Sequence, residues 1–218
     1  MVPFSLRPFV SAAVVGACVG LAALALAADA PAKEWTPERC LEDLALCRTA
    51  AEQGHTGAQI SLGGMYETGR GVPKNEARAA ALYEKACDSG DARGCSDLAE
   101  AYADGEGVDK DPGKAATFYE KACNGDHAHS CFVLGDLLAD GEDVKRDLAK
   151  AAVLFQKACD AGEALGCAYL ASAYTEGAGV ERNPRKAASL DQKVCDGDDP
   201  DGYPIGCHNL ALRYAAGE

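Results

Sequence analysis

The sequence predicts an all-α protein, a disulfide-stapled α/α solenoid of about five stacked helical hairpins. Three observations predict this fold. The segment YEKAC at residues 83–87 returns in related forms that end at Cys123, Cys159 and Cys195, each 36 residues after the last. Apolar residues inside each repeat have helical spacing, and a second cysteine follows the first across a short turn. A fixed period in the thirties indicates stacked supersecondary units.

Each repeat contains two helices. Five residues of the segment 114–123 fall at i, i+3, i+4, i+7 and i+8 and form one apolar helical face: Ala115, Phe118, Tyr119, Ala122 and Cys123. Gly125 is placed to end this helix, and a second helix follows through Leu134. Gly141 and Asp147 bracket the link to the next repeat. Small Ala and Gly residues allow two antiparallel helices to approach closely, so each unit is predicted to be a hairpin.

The cysteines are predicted to pair across the turn of each hairpin. An offset of eight residues around a tight turn can bring two Cα atoms within the ~4.4–6.8 Å that a disulfide needs, whereas an unbroken helix would separate them by ~12 Å. The last pair is four residues wider because residues 198–204, DDPDGYP, enlarge its turn. The predicted pairs are Cys87–Cys95, Cys123–Cys131, Cys159–Cys167 and Cys195–Cys207.

The first hairpin departs from this pattern. It has Ala51 and Gln59 where later hairpins have cysteines, and it carries Cys40 and Cys47 further upstream. On one unbroken helix those two thiols would be ~10.5 Å apart, too far to bond. Either the helix is broken between Cys40 and Cys47, or these two thiols do not pair with each other. Thr36 is predicted to cap this segment, with Pro37 at the first helical position.

The first thirty residues differ from the rest of the chain. An early Arg7, an apolar run and an A-x-A site ending at Ala27 have the layout of a secretory signal peptide. We therefore expect a signal peptide over 1–27, a short linker over 28–35 and the solenoid over 36–218. The alternatives are an uncleaved membrane anchor and lipidation at Cys18. Ten cysteines outside the leader suit an oxidising compartment, so the predicted location is periplasmic or secreted.

The recurring pattern A-x-x-[YF]-x-K-A-C-x-x-G-x-x-x-G-C-x-x-L, with a downstream G-x-G-V, resembles the Sel-one-like repeat, a relative of the tetratricopeptide repeat. The paired cysteines are similar to those of the Hcp-type cysteine-rich secreted bacterial proteins, which are sometimes described as β-lactamase-like. The resemblance covers residues 36–218. It implies a solenoid that binds other proteins, and it raises β-lactam binding as an alternative.

The sequence predicts no catalytic residues. Serine β-lactamases need S-x-x-K and K-T-G, and neither is present; the segment SDL at 96–98 lacks the Asn of S-D-N. The chain is therefore more in keeping with a binding protein than with an enzyme. If it is an enzyme, the resemblance implies a β-lactamase-like hydrolase.

No metal or cofactor is predicted. His127 and His129 lie near Cys131, but that thiol is assigned to Cys123, and zinc needs three or four ligands. They are interpreted as turn residues, and His55 and His208 as surface or packing residues. Haem binding through His127 or His208 and a nearby thiol is a further alternative.

Two other features have structural interpretations. The acidic segment 196–202 lacks the ligand spacing of a calcium loop and is interpreted as an exposed insertion. Tyr83, Tyr119 and Phe155 share one repeat position and are predicted to pack between hairpins.

The net charge of −13 without any Arg/Lys stripe argues against nucleic acid and anionic membranes as partners. Membrane association is expected only through an uncleaved leader or a lipidated Cys18. The leading hypothesis is an exported, non-catalytic scaffold of the cell envelope. Its concave groove, lined mainly by the first helices of the hairpins, would bind a peptide or envelope protein with basic or neutral groups. The alternative is a β-lactam or peptidoglycan-fragment binder with weak hydrolase activity.

Overall fold

The computed structural model describes residues 36–196 and 205–216, and the regular structure of these residues is entirely helical. The helices are α1 Pro37–Glu42, α2 Leu44–Glu52, α3 Thr56–Thr68, α4 Glu76–Asp88, α5 Ala92–Asp104, α6 Pro112–Asn124, α7 Ala128–Asp140, α8 Leu148–Asp160, α9 Ala164–Glu176, α10 Pro184–Asp196 and α11 Ile205–Ala216. The predicted all-α solenoid is confirmed. The predicted leader, the linker and most of the acidic insertion lie outside the described residues. Within the described ranges, no helix is long and apolar enough to cross a membrane.

Two kinds of connection alternate along the chain. Short turns at 89–91, 125–127 and 161–163 join the helices of a hairpin, and longer links at 69–75, 105–111, 141–147 and 177–183 join one hairpin to the next. The hairpins are therefore α2–α3, α4–α5, α6–α7, α8–α9 and α10–α11.

Capping residues fix where the links end. The side chains of Asn75, Asp111 and Asp147 each accept a hydrogen bond, at 3.0 Å, from a backbone N–H in the first turn of α4, α6 and α8 respectively. Each satisfies a donor that has no partner inside the helix. At the other end of a link, Gly105 adopts a left-handed φ of 80°, a conformation in which glycine avoids a steric cost. Polar caps and glycines thus set the hairpin boundaries.

The structure places four cysteine pairs at disulfide distance across the turns of α4–α5, α6–α7, α8–α9 and α10–α11. Their Cα atoms are 4.4, 4.7, 4.5 and 4.6 Å apart. In each hairpin one cysteine lies near the end of the first helix and the other near the start of the second.

Cys40 and Cys47 also form a pair, with 4.7 Å between their Cα atoms. The helix is broken between them, because α1 ends at Glu42 and Asp43 caps α2 by accepting a hydrogen bond from the Leu46 N–H at 3.1 Å. Of the two possibilities left open by the sequence, the structure shows the broken helix. In addition, Thr36 caps α1 as predicted.

The hairpin α2–α3 has a hydrogen bond where the later hairpins have a disulfide. Gln59 is buried, and its side-chain amide donates to the Ala51 carbonyl at 3.1 Å. These two residues occupy the repeat positions of Cys95 and Cys87. The first hairpin therefore lacks a covalent link between its two helices.

The shared aromatic position lies in the core, as predicted. Tyr83, Tyr119 and Phe155 are each no more than 5% exposed. In the last hairpin the same position holds Asp191, which is fully buried, and Arg213 of α11 donates to its carboxylate at 2.5 Å. A buried ion pair thus replaces aromatic packing at that end of the described stack.

Candidate functional site

Odd-numbered helices line the inner side of the stack. Among the described helices, the more extensive contacts between two odd-numbered or two even-numbered helices are α1–α3, α3–α5 and α7–α9, and all three join odd-numbered helices. Neighbouring units of a curved solenoid approach most closely on its concave side. The inner surface therefore belongs to the second helices of the hairpins, and not to the first helices, which were predicted to line it.

A cleft of about 270 Å³ opens where α3, α4 and α5 meet. Alanines of α4 and α5 form part of its floor, and carboxylates surround it. We call this cleft the acidic groove, defined by Glu67, Glu76, Tyr83, Asp97, Glu100, Asp104 and Glu106. The residues come from three helices and one link, so the groove exists only in the folded stack.

Tyr83 supplies a fixed hydrogen-bond donor to this groove. Its hydroxyl donates to Glu67 Oε2 at 2.5 Å, and its ring packs against α3 at Gly63. Burial raises the pKa of Tyr83, and the hydrogen bond and negative charge of Glu67 raise it further. The phenol therefore stays neutral and holds Glu67 in place.

Asp97 is the most perturbed carboxyl group of the groove. Burial, followed by the negative charges of Glu100 and Glu67, raises its pKa to about 7. Burial likewise raises the pKa of Glu100. No lysine or arginine of the described residues forms an ion pair with Asp97 or Glu100; the nearby Arg93 pairs with Asp91 at 3.0 Å. The groove therefore holds a partly buried carboxyl group, Asp97, beside an exposed one, Glu100, and neither is paired with a lysine or arginine of the described residues.

The inner surface becomes aromatic toward the C-terminal end. Asp136 on α7 occupies the repeat position of Glu100, and burial raises its pKa as well. Tyr169 on α9 occupies the repeat position of Asp97 and is 39% exposed. Its ring meets Phe132 edge-on, with 5.1 Å between centroids. The surface thus offers carboxylates at one end and an exposed aromatic ring at the other.

The histidines singled out in the sequence do not converge. His127 Nδ1 lies 2.9 Å from the Ser130 hydroxyl, which in turn donates to Ser96 Oγ at 3.0 Å. His129 lies 3.7 Å from Glu163 instead. Ser130 is fully buried, so this hydrogen-bonded chain joins two repeats and presents no nucleophile at the surface.

The thiols invoked for metal or haem binding are already paired. Cys131 is at bonding distance from Cys123, and Cys207 from Cys195. A disulfide sulfur does not act as a thiolate ligand. His127 and His208 therefore have no free thiol beside them in the described hairpins.

The acidic groove was not predicted from the sequence. Glu67, Asp97 and Glu100 are spread over two helices, and none belongs to a recognised motif. Aligning the repeats by position would have shown that Ser61, Asp97, Val133 and Tyr169 share one place on successive helices. That alignment of the repeats could have indicated the acidic groove from the sequence.

The Sel1 repeat model matches residues 56–91, 92–127, 128–163 and 164–198 without a gap. The chain belongs to the Sel1 repeat family. Sel1 repeats typically mediate protein–protein interactions. Each matched repeat begins at an odd-numbered helix, one helix out of phase with the cysteine-paired hairpins, so Cys87 and Cys95 lie in successive Sel1 repeats.

Solved structures agree with this family. A protective antigen of uropathogenic Escherichia coli that displays an SLR fold matches with 28% identity and a TM-score of 0.75 over 81% of this chain. The chain spans only 37% of that antigen's length. A Sel1 repeat protein from Oxalobacter formigenes matches with 24% identity and a TM-score of 0.73, over 81% of this chain and 72% of that one.

Helicobacter pylori cysteine rich protein B matches with 30% identity over 59% of this chain and 94% of its own, with a TM-score of 0.45. A comparison with curated protein sequences found no match.

Proposed function

We propose that this Sel1 repeat protein is an exported, non-catalytic scaffold that binds an extended segment of a protein partner along its inner surface. The observation that carries the proposal is the pair of Asp97, which is partly buried, and Glu100, which is exposed: both carboxyl groups have raised pKa values, and neither has a paired cation among the described residues. The partner segment would place a lysine or arginine in the acidic groove.

Electrostatics supports a basic partner. Burial and repulsion from neighbouring carboxylates disfavour the charged forms of Asp97 and Glu100, and a cation within ~4–6 Å would favour them again. Binding a basic side chain therefore reduces the unfavourable free energy of ionising these two carboxyl groups in the free protein. An apolar residue further along the same segment would contact the exposed ring of Tyr169.

The cysteine pairs support export. Disulfides persist in oxidising compartments and are rare in a reducing cytosol. Five cysteine pairs at bonding distance are therefore consistent with a periplasmic or secreted protein. Cleavage of the leader near Ala27 belongs to the same proposal.

Affinity capture from a cell-envelope extract tests the binding function, with the disulfides intact and the captured proteins identified by mass spectrometry. The test bait carries Asp97→Asn with Glu100→Gln. The matched control carries Glu84→Gln with Asp88→Asn, which removes the same charge from exposed positions on α4.

We expect wild type and the control to capture the same basic partner and the groove variant to lose it. Capture should also be stronger at pH 8 than at pH 6, because Asp97 ionises near pH 7. A partner captured equally by all three baits would refute the assignment of the groove. Turnover of nitrocefin by the purified protein would instead support the β-lactamase-like alternative.

A further inference from the structure

A second cavity, of about 440 Å³, opens between α2, α3 and α4. It uses a different face of α4 from the acidic groove, since Arg78 and Leu82 line it rather than Ala79 and Tyr83. Its apolar floor includes Leu62 and Leu82. The volume lies in the range of small-molecule sites, which combine apolar walls with a few polar groups.

Three cations surround this cavity. Arg48 comes from α2, and Arg78 and Lys85 come from α4. Among the described residues, no carboxylate forms an ion pair with any of the three, although Glu52 also lines the cavity. Such a concentration of unpaired positive charge is unexpected in a chain with a net charge of −13.

One of the cations, Arg78, is hydrogen-bonded to a buried phenol. Tyr66 is 7% exposed, and Arg78 Nη1 donates to its hydroxyl at 3.4 Å while the guanidinium lies 5.5 Å from the ring centre. Burial opposes ionisation of the phenol, but the hydrogen bonds and charges of Arg78 and Arg48 outweigh it and lower the pKa of Tyr66. Arg78 therefore lies against Tyr66, and Arg48 lines the same cavity from α2, so two guanidinium groups border the apolar floor.

The next unit of the stack lacks this arrangement. The repeat position of Arg48 is taken by Glu84, so one of the three cations becomes an anion. The position of Leu82 is taken by Phe118, whose ring stacks on Tyr102 with 5.5 Å between centroids. Both changes remove a feature of the cavity between α2, α3 and α4: the first removes one of its positive charges, and the second removes its open apolar floor.

We propose that this cavity binds an organic carboxylate with an apolar body, the carboxylate between Arg48 and Arg78 and the apolar body against Leu62 and Leu82. Guanidinium groups bind carboxylates through paired charge-assisted hydrogen bonds, which supplies the orientation. A free carboxylic acid and the C-terminal residue of a peptide present the same chemistry.

Isothermal titration calorimetry with the purified protein tests this inference with two probes, hexanoate and the tripeptide acetyl-Gly-Gly-Leu with a free C-terminus. Hexanamide and the C-terminal amide of the tripeptide are the neutral controls. We expect an acid to bind and its amide not to. Binding of hexanoate alone identifies a free acid as the ligand, binding of the tripeptide alone identifies a chain terminus, and either result supports the site.

Three variants locate the binding. Arg78→Gln should weaken it by about tenfold or more, because a charge-assisted pair is lost. Lys114→Gln is the matched control, since Lys114 holds the same repeat position in the next unit and lies 4.9 Å from the ring centre of Tyr102. Leu82→Phe keeps every charge but introduces the ring found at Phe118, and it should abolish binding by filling the cavity.

Absence of binding by both acids would overturn the inference, as would equal binding of an acid and its amide. If Arg78→Gln and Lys114→Gln weaken the affinity for the acids equally, the acids bind through non-specific electrostatic attraction, and the inference is wrong. If circular dichroism shows that Arg78→Gln does not fold, Leu82→Phe decides the matter, because retained binding in that variant places the ligand elsewhere.

Discussion

Removing one cysteine pair from the middle of the stack should cost more than removing the last pair. The two variants are Cys123→Ala with Cys131→Ala, and Cys195→Ala with Cys207→Ala, each of which leaves no free thiol. Their sequence separations are 8 and 12 residues. On the chain-entropy model, such loops contribute about 2.5 and about 2.8 kcal/mol respectively, so loop length alone slightly favours the last pair.

Position in the stack reverses that order. The hairpin α6–α7 packs against α5 on one side and α8 on the other, whereas α10–α11 packs against α9 within the described residues. Because each solenoid unit is stabilised by its neighbours, weakening a central hairpin removes support from both flanks. We expect a loss of about 2–3 kcal/mol for the central variant and about 1 kcal/mol for the terminal one, which can open locally.

Urea unfolding followed by circular dichroism under oxidising conditions measures both losses beside wild type. Peptide mapping of each variant must show the four remaining disulfides. A terminal variant that is the more destabilised of the two would refute the description of the protein as a nearest-neighbour stack.

Two further predictions concern the acidic groove and its helices. Gly63→Ala should cost about 1–3 kcal/mol, because its Cβ would lie 2.4 Å from the Tyr83 ring, whereas Gly64→Ala, one residue along the same helix, should be neutral or stabilising in the same urea measurement. Asp97→Asn should raise the melting temperature at pH 8 but not at pH 4. Because the pKa of Asp97 is raised in the folded state, the folded state is favoured at low pH, and this contribution is lost as the pH rises from about 4 to about 7. After allowance for solvent screening, we expect Asp97→Asn to increase the free energy of unfolding by about 1–2 kcal/mol at pH 8. The exposed Asp109→Asn is the control for both pH values, and an equal gain in that variant would contradict the assignment to burial.

The sequence was sufficient for the parts of the fold that depend on local spacing. The 36-residue period, the helical face through Tyr119 and the end of α6 at Gly125 all follow from short-range rules. The break between Cys40 and Cys47 was left open, although Asp43 is a good N-cap and could have indicated it.

The acidic groove and the cavity between α2, α3 and α4 could not be predicted in the same way. Asp97 and Glu67 lie close together because α3 and α5 approach each other in the stack. Arg48 and Arg78 line one cavity because α2 and α4 both pack against α3. Which helices line the inner side depends on the curvature of the whole stack. The repeat pattern predicts which helices are neighbours, but it does not predict on which side of the stack neighbouring hairpins approach each other more closely.

The five cysteine pairs join neighbours along the chain: each described cysteine pairs with the one directly before or after it, never across an intervening thiol. This order has a consequence for oxidative folding. An oxidase that joins thiols as they emerge from a translocation channel in N-to-C order would produce the native connectivity directly. Maturation would then not require a disulfide isomerase to correct the bridges. Each bridge could close as soon as its own short turn had emerged, before the rest of the solenoid was available.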